Sequence, residues 1–176
     1  QGYSVTALQA TSVFATIAND GVRVTPNVIA GTIDSSGKFT HSTPQSTSRV
    51  VSSETAAQMR LIMESVVSEQ GTAPAAAIPG YRIAGKTGTA QRSDSTCGCY
   101  RGYTSSFIGF APADKPKYVV SVVIQNPVGQ HFGGVIAAPV FKTVMSFVLQ
   151  SKHIPPTNTN KVAYALDEAA LKKQTA

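Results

Sequence analysis

Residues 81–91 read Tyr-Arg-Ile-Ala-Gly-Lys-Thr-Gly-Thr-Ala-Gln, and the rest of the chain is interpreted outward from them. The residues before the first glycine favour a β-strand, and a polar, glycine-containing loop follows, so the stretch predicts a strand. On a strand, Lys86 and Gly88 share one face while Thr87 and Thr89 share the other. A glycine inside a strand often marks where a ligand or another backbone approaches closely.

The chemistry of this strand suits the recognition of an anion. Hydroxyl groups beside an ammonium group can bind a carboxylate, and a backbone N–H just after the strand glycine can point at a developing oxyanion. The competing interpretation is an ordinary edge strand that contains Lys-Thr-Gly by chance. The motif alone does not decide between the two.

Two more strands are predicted downstream, at about residues 104–111 and 118–125, with a tight turn at residues 112–116 between them. Residues 93–101 are interpreted as a polar loop. A helix over residues 135–149 is apolar nearly all round, so it must be buried, and an antiparallel sheet is the available partner. These elements predict an α+β fold in which helices pack on an antiparallel sheet. Three sequential strands leave open edges, so we expect the sheet to continue with strands from elsewhere.

The first part of the chain predicts a helix and a hairpin. Thr6 and Gln9 have capping-box spacing at the start of the helix. Its apolar stripe consists of Leu8, Val13, Phe14 and Ile17. Residues 22–33 are rich in β-branched side chains, and the turn chemistry of residues 34–37 predicts a returning strand at residues 38–40.

A second helix is predicted to begin near Ser52 or Ser53 and to end at Gly71. Its predicted buried face consists of Met59, Ile62, Met63, Val66 and Val67. Residues 41–48 are interpreted as a loop, and residues 72–79 as a linker rich in alanine and proline.

Composition narrows the classes of function. The 176 residues are 42% hydrophobic and 14% charged, which is typical of one globular domain. The net charge of +6 permits an anionic partner, but basic residues are neither concentrated nor interleaved with aromatic ones, so no nucleic acid is expected. We find no apolar run that predicts a membrane span and no signal peptide.

Cys97 and Cys99 are the two cysteines of the chain. A zinc site needs four ligands, and His41, His131 and His153 do not have ligand spacing, so neither a metal nor a cofactor is predicted. A disulfide across one residue, formed in an oxidising compartment, and two free thiols in a loop are equally compatible with the sequence.

Residues 80–87 also match the phosphate-binding P-loop pattern Gly-x-x-x-x-Gly-Lys-Thr, which would indicate a nucleotide-binding protein. A P-loop leads directly into a helix whose N-terminus binds the phosphate. Residues 88–91 instead lead into a polar loop, and no hydrophobic strand ends in an aspartate suited to hold magnesium. The local pattern therefore disfavours this interpretation.

Residues 85–91, 106–114 and 133–141 read Gly-Lys-Thr-Gly-Thr-Ala-Gln, Ser-Phe-Ile-Gly-Phe-Ala-Pro-Ala-Asp and Gly-Gly-Val-Ile-Ala-Ala-Pro-Val-Phe. Together they strongly resemble class B penicillin-binding proteins, the monofunctional peptidoglycan D,D-transpeptidases. The resemblance covers about residues 1–150, which we interpret as the C-terminal portion of the transpeptidase domain. Residues 151–176 carry no resemblance and are interpreted as a polar tail with a short helix near residues 166–173.

The resemblance implies a fold similar to the serine β-lactamases and penicillin-binding proteins, with a five-stranded antiparallel sheet of which this chain supplies the C-terminal strands. It implies catalytic roles for Lys86, in the proton network, and for Thr89, whose N–H would form half of the oxyanion hole. The substrate-binding residues that it implies are Lys86, Thr87, Gly88, Thr89 and Gln91.

Two motifs of that family are missing. Ser35 and Lys38 fit Ser-x-x-Lys, but they lie in a predicted polar turn where neither burial nor helical spacing could activate the serine. No Ser-x-Asn is present in the chain. The nucleophilic serine is therefore expected outside this chain, which alone would be inactive.

The function implied by the resemblance is D,D-transpeptidation of peptidoglycan through a serine acyl-enzyme, at the extracytoplasmic face of the bacterial plasma membrane. The implied partners are stem peptides ending in D-Ala-D-Ala, β-lactams, the upstream half of the same domain, and membrane proteins of the division or elongation machinery. A D,D-carboxypeptidase or β-lactam sensor of the same fold is the first alternative. A non-catalytic interaction module is another.

Overall fold

The structure, a computed structural model, describes residues 3–42 and 46–157. In chain order, its helices and strands are α1 Ala7–Ala18, β1 Val22–Val24, β2 Gly31–Ile33, β3 Phe39–His41, β4 Thr47–Arg49, α2 Ser53–Ser65, β5 Ala84–Asp94, β6 Cys99–Ala111, β7 Tyr118–Gln125 and α3 Gly133–Ser151. A short 3₁₀ helix, Pro74–Ala76, lies between α2 and β5.

Strands β5, β6 and β7 form an antiparallel sheet in that order. Lys86 is paired with Ile108 and Gly88 with Ser106, so the predicted site residues lie on an outer strand of the described sheet. The antiparallel α+β fold is confirmed, and β7 has the predicted bounds. The predicted loop at residues 93–101 is wrong, because β5 and β6 continue through most of it and only a short turn joins them.

Helix α3 packs on one face of this sheet. Phe141, Met145 and Leu149 are fully buried, and the ring of Phe141 meets that of Phe107 on β6 at 4.7 Å. The prediction that this helix is buried all round is wrong, because its other face is exposed. The exposed residues are Val135, Val140, Val144 and Phe147.

The expectation that no apolar run could span a membrane also needs correction. Helix α3 is long and apolar enough for a span by length and composition, a test that the core helices of globular domains also pass. Its buried side covers the sheet through Ala137, Ala138 and Phe141. These contacts identify it as the core helix of the sheet.

The predicted linker at residues 72–79 is part of the core. Ala73 and Ala76 are fully buried, and the Ala73 N–H donates to the Val66 carbonyl at 2.8 Å. Small side chains are required here because the segment packs closely against α3. The prediction of a linker from the alanine- and proline-rich composition is therefore wrong.

The N-terminal helices begin where the sequence predicts. Thr6 and Gln9 form the expected capping box, and Ser52 caps α2. The predicted buried faces are only partly correct. In the apolar stripe of α1, Leu8 and Val13 are exposed while Phe14 and Ile17 pack on the core; in α2, Met59 and Ile62 are exposed while Met63 is buried. The predicted end of this helix at Gly71 is wrong, because α2 ends at Ser65 and the buried Val67 lies in the turn that follows.

Strands β2 and β3 form the predicted hairpin, and the Asp34 carboxylate accepts hydrogen bonds from the Ser36 and Lys38 N–H groups in its turn. The Ser36 hydroxyl also donates to this carboxylate, and its hydrogen bond is the largest of the causes that lower the pKa of Asp34. The predicted loop at residues 41–48 is partly wrong, since β4 begins at Thr47 and pairs with β1. Residues 43–45 lie outside the described residues.

After α3 the chain packs against the residues that precede β5. The Tyr81 hydroxyl donates to the Ile154 carbonyl at 2.6 Å, and the Arg82 N–H donates to the Thr157 hydroxyl at 3.3 Å. The helix predicted near residues 166–173 lies outside the described residues, and the boundary placed at residue 150 stays a prediction.

Candidate active site

Lys86 and Thr87 form a small polar cluster on β5. The Lys86 ammonium donates to the Thr87 carbonyl at 3.1 Å and to the Thr87 hydroxyl at 3.2 Å. Because neighbouring residues of a strand face opposite sides, the Lys86 side chain must bend around the edge of β5 to make these bonds. The exposed cation therefore lies at the strand edge, where a ligand carboxylate could meet both groups.

Thr89 is joined to the start of α3. Its hydroxyl oxygen accepts a hydrogen bond from the Gly133 N–H at 3.2 Å. A hydroxyl group that accepts one bond still has its own proton to donate. Thr89 can therefore hold α3 against β5 and donate to a ligand at the same time.

Three glycines allow the close packing around these groups. A Cβ at Gly88 would overlap the Ser106 hydroxyl, and one at Gly133 would overlap the carbonyl oxygens of Gly88 and Ser106. A Cβ at Gly134 would overlap the Thr72 carbonyl. Gly133 permits the close approach of α3 to β5 and β6, and Gly134 permits that of α3 to the Thr72 backbone, so these two glycines help to fix where the threonine side chains lie.

The loop before α3 is also fixed to the sheet. The Ser105 hydroxyl donates to the His131 carbonyl, and the rings of Tyr103 and His131 stack with centroids 4.0 Å apart. Ser105 is fully buried. These contacts set the position of the first residues of α3, and through Gly133 they set the position of the Thr89 hydroxyl.

Gln91 lines a groove of about 500 Å³ between the start of α1 and the sheet. Ala90, Thr104 and Ser106 line it too. Because Ala90 is paired with Thr104 and Gly88 with Ser106, this groove lies on the sheet face away from α3. The predicted site residues therefore border two sides of β5: Thr87 and Thr89 on the α3 side, and Gly88 on the groove side.

A buried ion pair anchors the residues that lead into β5. The Arg82 guanidinium donates to both Glu64 carboxylate oxygens, with Nε–Oε2 at 2.8 Å and Nη2–Oε1 at 2.6 Å. The hydrogen bond to Glu64 raises the pKa of Arg82, and burial opposes it. Glu64 is nearly inaccessible, so the pair ties α2 to the sheet within the core.

Nucleotide binding by a P-loop and catalysis by Ser35 are both inconsistent with the geometry. Strand β5 continues to Asp94, so no helix follows Lys86 and Thr87 as a P-loop requires. Ser35 lies exposed in the turn of the β2–β3 hairpin, as predicted. Among the residues that the structure describes, no group of three or more His, Cys, Asp or Glu side chains could hold a metal ion.

Cys97 and Cys99 form a disulfide at the end of the β5–β6 hairpin, which decides between the two possibilities that the sequence left open. Both residues are exposed, and Gly98 between them has a φ of +62°. The bridge lies in the turn beyond the predicted site residues. It constrains the hairpin turn and makes no contact with Lys86 or Thr87 that the structure describes.

Sequence reasoning missed three residues around the site. Thr72 lies in the supposed linker, yet its hydroxyl is 3.2 Å from that of Thr87. The Ser106 hydroxyl lies next to Gly88 of β5, and Glu64 bonds Arg82 just before β5; both are distant from β5 in sequence. Glu64 could have been suspected because it interrupts the apolar side of a helix; nothing local marks Thr72 or Ser106.

The chain matches the family described as penicillin binding protein transpeptidase domain over residues 1–146. It is 44% identical over 165 residues to penicillin-binding protein PbpB of Mycolicibacterium smegmatis, covering 88% of this chain and 26% of that protein. It is 32% identical over 162 residues to the probable peptidoglycan D,D-transpeptidase PbpC of Pseudomonas aeruginosa, covering 89% of this chain and 26% of that protein.

A crystal structure of penicillin binding protein 3 from Mycobacterium tuberculosis, complexed with ampicillin, is similar with a TM-score of 0.84 and 37% identity. The alignment covers 93% of this chain and 38% of that chain. The chain thus spans about a quarter of the length of the curated relatives and about two fifths of the solved structure. The antiparallel sheet, the order of its elements and these similarities agree, and the chain belongs to the transpeptidase-domain family of the class B penicillin-binding proteins.

Proposed function

We propose that this chain forms the Lys-Thr-Gly wall of a peptidoglycan D,D-transpeptidase whose nucleophilic serine lies outside residues 1–176. The single observation that carries the proposal is the cluster of the Lys86 ammonium with the Thr87 hydroxyl at the edge of β5. Several relatives are named peptidoglycan D,D-transpeptidases, which supports the reaction class. The substrate is the stem peptide ending in D-Ala-D-Ala.

In the proposed mechanism, Lys86 and the hydroxyls of Thr87 and Thr89 bind the terminal carboxylate of the stem peptide. The serine oxygen attacks the carbonyl of the penultimate D-alanine, and the Thr89 N–H stabilises the oxyanion that develops. Collapse of this intermediate breaks the amide bond, the proton lost by the serine passes through the proton network of Lys86 to the nitrogen of the leaving D-alanine, and an acyl-enzyme remains. The amine of a neighbouring stem then attacks the acyl group and restores the serine.

The same groups explain β-lactam binding in the proposal. A β-lactam offers a strained amide to the serine and an anionic group to Lys86, Thr87 and Thr89. Two similar solved structures, both of penicillin binding protein 3 from Mycobacterium tuberculosis, are complexes with ampicillin and with aztreonam. Gly88 and Gln91 complete the proposed substrate-binding wall, with Gly88 allowing the backbone to approach the ligand.

We propose that the upstream half of the same transpeptidase domain completes the site. Within the described residues, the outer edges of β5 and β7 have no strand partner, and one side of α3 is apolar and exposed. A continuation of the sheet would cover such edges. The intact protein would act at the extracytoplasmic face of the plasma membrane with proteins of the division or elongation machinery.

The test is the Lys86→Ala variant of the full-length protein that contains this chain. Loss of a charge-assisted bond to the ligand should lower the second-order rate constant of β-lactam acylation at least about tenfold, or about 1.4 kcal/mol. Thr87→Val should lower it less. Stopped-flow acylation and melting temperature should be measured on the same preparations.

We expect little change in melting temperature, because Lys86 is exposed. Unchanged acylation of Lys86→Ala would contradict the site assignment. A lowered melting temperature with normal acylation would indicate that β5 is an ordinary structural strand. As a control, the 176-residue chain alone should not be labelled by fluorescent penicillin. Labelling that Ser35→Ala abolishes would instead make Ser35 the nucleophile.

A further inference from the structure

We propose that Thr72 is a positioning residue that holds the Thr87 hydroxyl ready to donate to the ligand carboxylate. The inference rests on the proposed function, because it deepens the role of the same site. Thr72 lies outside the Lys-Thr-Gly strand, fifteen residues before Thr87, and its hydroxyl oxygen is 3.2 Å from that of Thr87. It therefore reaches the site from the segment between α2 and β5.

The three polar groups form a chain of hydrogen bonds. The Lys86 ammonium donates to the Thr87 hydroxyl oxygen at 3.2 Å, and the Thr72 hydroxyl contacts the same oxygen. Either threonine could donate in the second bond. A hydroxyl group has one proton and two acceptor positions, so the direction of this bond decides whether the Thr87 proton is used internally or offered to a ligand.

A bound carboxylate fixes that direction. Carboxylate oxygens only accept, so Thr87 must donate its proton to the ligand. Thr72 then becomes the donor to the Thr87 oxygen, which already accepts from Lys86. Both donations increase the polarity of the Thr87 O–H and strengthen its bond to the carboxylate. Thr72 thus acts on the ligand through Thr87 without touching it.

The backbone that carries Thr72 is firmly held. The next residue, Ala73, is fully buried and donates its N–H to the Val66 carbonyl at 2.8 Å. The Thr72 carbonyl lies so close to α3 that a Cβ at Gly134 would overlap it. A hydroxyl on a fixed backbone can be held in one geometry at little further entropic cost, which is what a positioning role requires.

The inference predicts a dependence on the charge of the ligand. Thr72 matters most when Thr87 donates to an anion, because a charged acceptor forms the stronger bond, so its removal should slow ligands with a free carboxylate much more than the same ligands with that group masked as an ester. A merely structural role for Thr72 would lower both rates, or lower the stability, without regard to the carboxylate.

The experiment uses Thr72→Val and Thr72→Ser in the full-length protein. Valine keeps the branched shape and removes the hydroxyl, whereas serine keeps the hydroxyl. For a carboxylate-bearing β-lactam, Thr72→Val should lower the second-order acylation rate constant about threefold to tenfold, as expected for one hydrogen bond, and Thr72→Ser should stay within about twofold of wild type. With the methyl ester of that β-lactam, Thr72→Val should change the rate less than about twofold.

Thr143→Val is the matched control. Thr143 is also exposed, and its hydroxyl donates only to the Pro139 carbonyl of its own helix, at 3.2 Å. The same hydroxyl-to-methyl exchange there should leave acylation unchanged. A double-mutant cycle completes the test: in a Thr87→Val background, Thr72→Val should have almost no further effect, because the group through which it acts is gone.

Equal losses on the acid and the ester, or additive losses in the cycle, would overturn the inference. So would wild-type acylation of the acid by Thr72→Val. These outcomes are distinct from failure of the proposed function, which would show as normal acylation in Lys86→Ala. If Lys86→Ala is impaired and Thr72→Val is not, the proposed site stands and Thr72 has no part in it.

Discussion

The two ends of the β5–β6 hairpin are held in different ways. At the base, residues 84–91 of β5 and 103–111 of β6 pack against α3 through glycines that allow backbone to approach backbone. At the tip, residues 92–102 are cross-linked by the disulfide and by the Asp94–Arg101 ion pair at 3.5 Å. The base depends on contacts that are distant in sequence, and the tip on local ones.

This difference explains why the proposed site lies at the base. Hydroxyl groups recognise a ligand well only if the surrounding packing fixes their geometry. Thr87 and Thr89 have such support from Thr72 and Gly133, which belong to other elements. A local cross-link fixes only its own turn, so the tip can vary without moving the base. Two pairs of substitutions and one double substitution test this contrast.

The largest effect is expected from Gly133→Ala at the base. The new methyl group would overlap the carbonyl oxygens of Gly88 and Ser106, and backbone cannot move aside as a side chain can. Parting α3 from the sheet should lower the free energy of unfolding by about 3 kcal/mol. Urea denaturation followed by circular dichroism would measure it, and β-lactam acylation should fall as well.

Gly98→Ala at the tip is the matched glycine substitution. Gly98 has open space around it, so the only cost is its φ of +62°, about 1 kcal/mol for a residue with a Cβ. Acylation should be unaffected. Helix propensity alone would make Gly133→Ala stabilising, because alanine favours a helix more than glycine does. A higher free energy of unfolding in Gly133→Ala would therefore contradict the contrast.

A smaller effect is expected from Glu64→Gln, which removes the charge of the buried pair and nearly preserves its shape. The Arg82 cation would lose the carboxylate that it bonds, in a site where Glu64 is 8% exposed, and the free energy of unfolding should fall by about 2 kcal/mol. Asp94→Asn at the tip should cost less than about 1 kcal/mol, because Arg101 is largely exposed and water screens the pair.

Both variants are measured by urea denaturation under the same conditions. Equal costs for Glu64→Gln and Asp94→Asn would remove the distinction between base and tip. Salt screens exposed charges far more than buried ones. The distinction would be supported if high salt abolished the loss of unfolding free energy in Asp94→Asn and left the loss in Glu64→Gln unchanged.

The sequence predicted the central sheet because its signals are local. Residues 118–125 form a short apolar run rich in β-branched side chains, which favours a strand, and Pro112 and Pro116 favour a turn before it. Lys86, Thr87 and Thr89 could be placed on one strand for the same reason. Their neighbours Thr72 and Gly133 could not be predicted from the strand, since they meet it only through the tertiary fold.

The errors have physical causes as well. Residues 93–101 contain serine, aspartate and glycine, which favour turns, but pairing between Asp94 and Cys99 carries the strands into this region. Ala73 and Ala76 were assigned to a linker because small residues are common there, whereas here small size is what close packing demands. Val140 and Phe147 of α3 are apolar yet exposed, so burial could not be inferred from hydrophobicity alone.

The smallest effect is expected from replacing Cys97 and Cys99 together by serine. The bridge closes a loop of only three residues, and loop-closure entropy gives such a cross-link about 1.5 kcal/mol at most. Much of that should be lost at the tip of a hairpin, where the reduced turn can fluctuate without disturbing the rest of the sheet. We expect the free energy of unfolding to fall by less than about 1 kcal/mol. We also expect acylation to stay within about twofold of wild type, because the base is held by α3 and not by the bridge. Wild-type protein treated with a reducing agent is the control, and it should match the double variant. A large loss of acylation in both would show that the tip controls the base after all, and the contrast between the two ends of the hairpin would have to be abandoned.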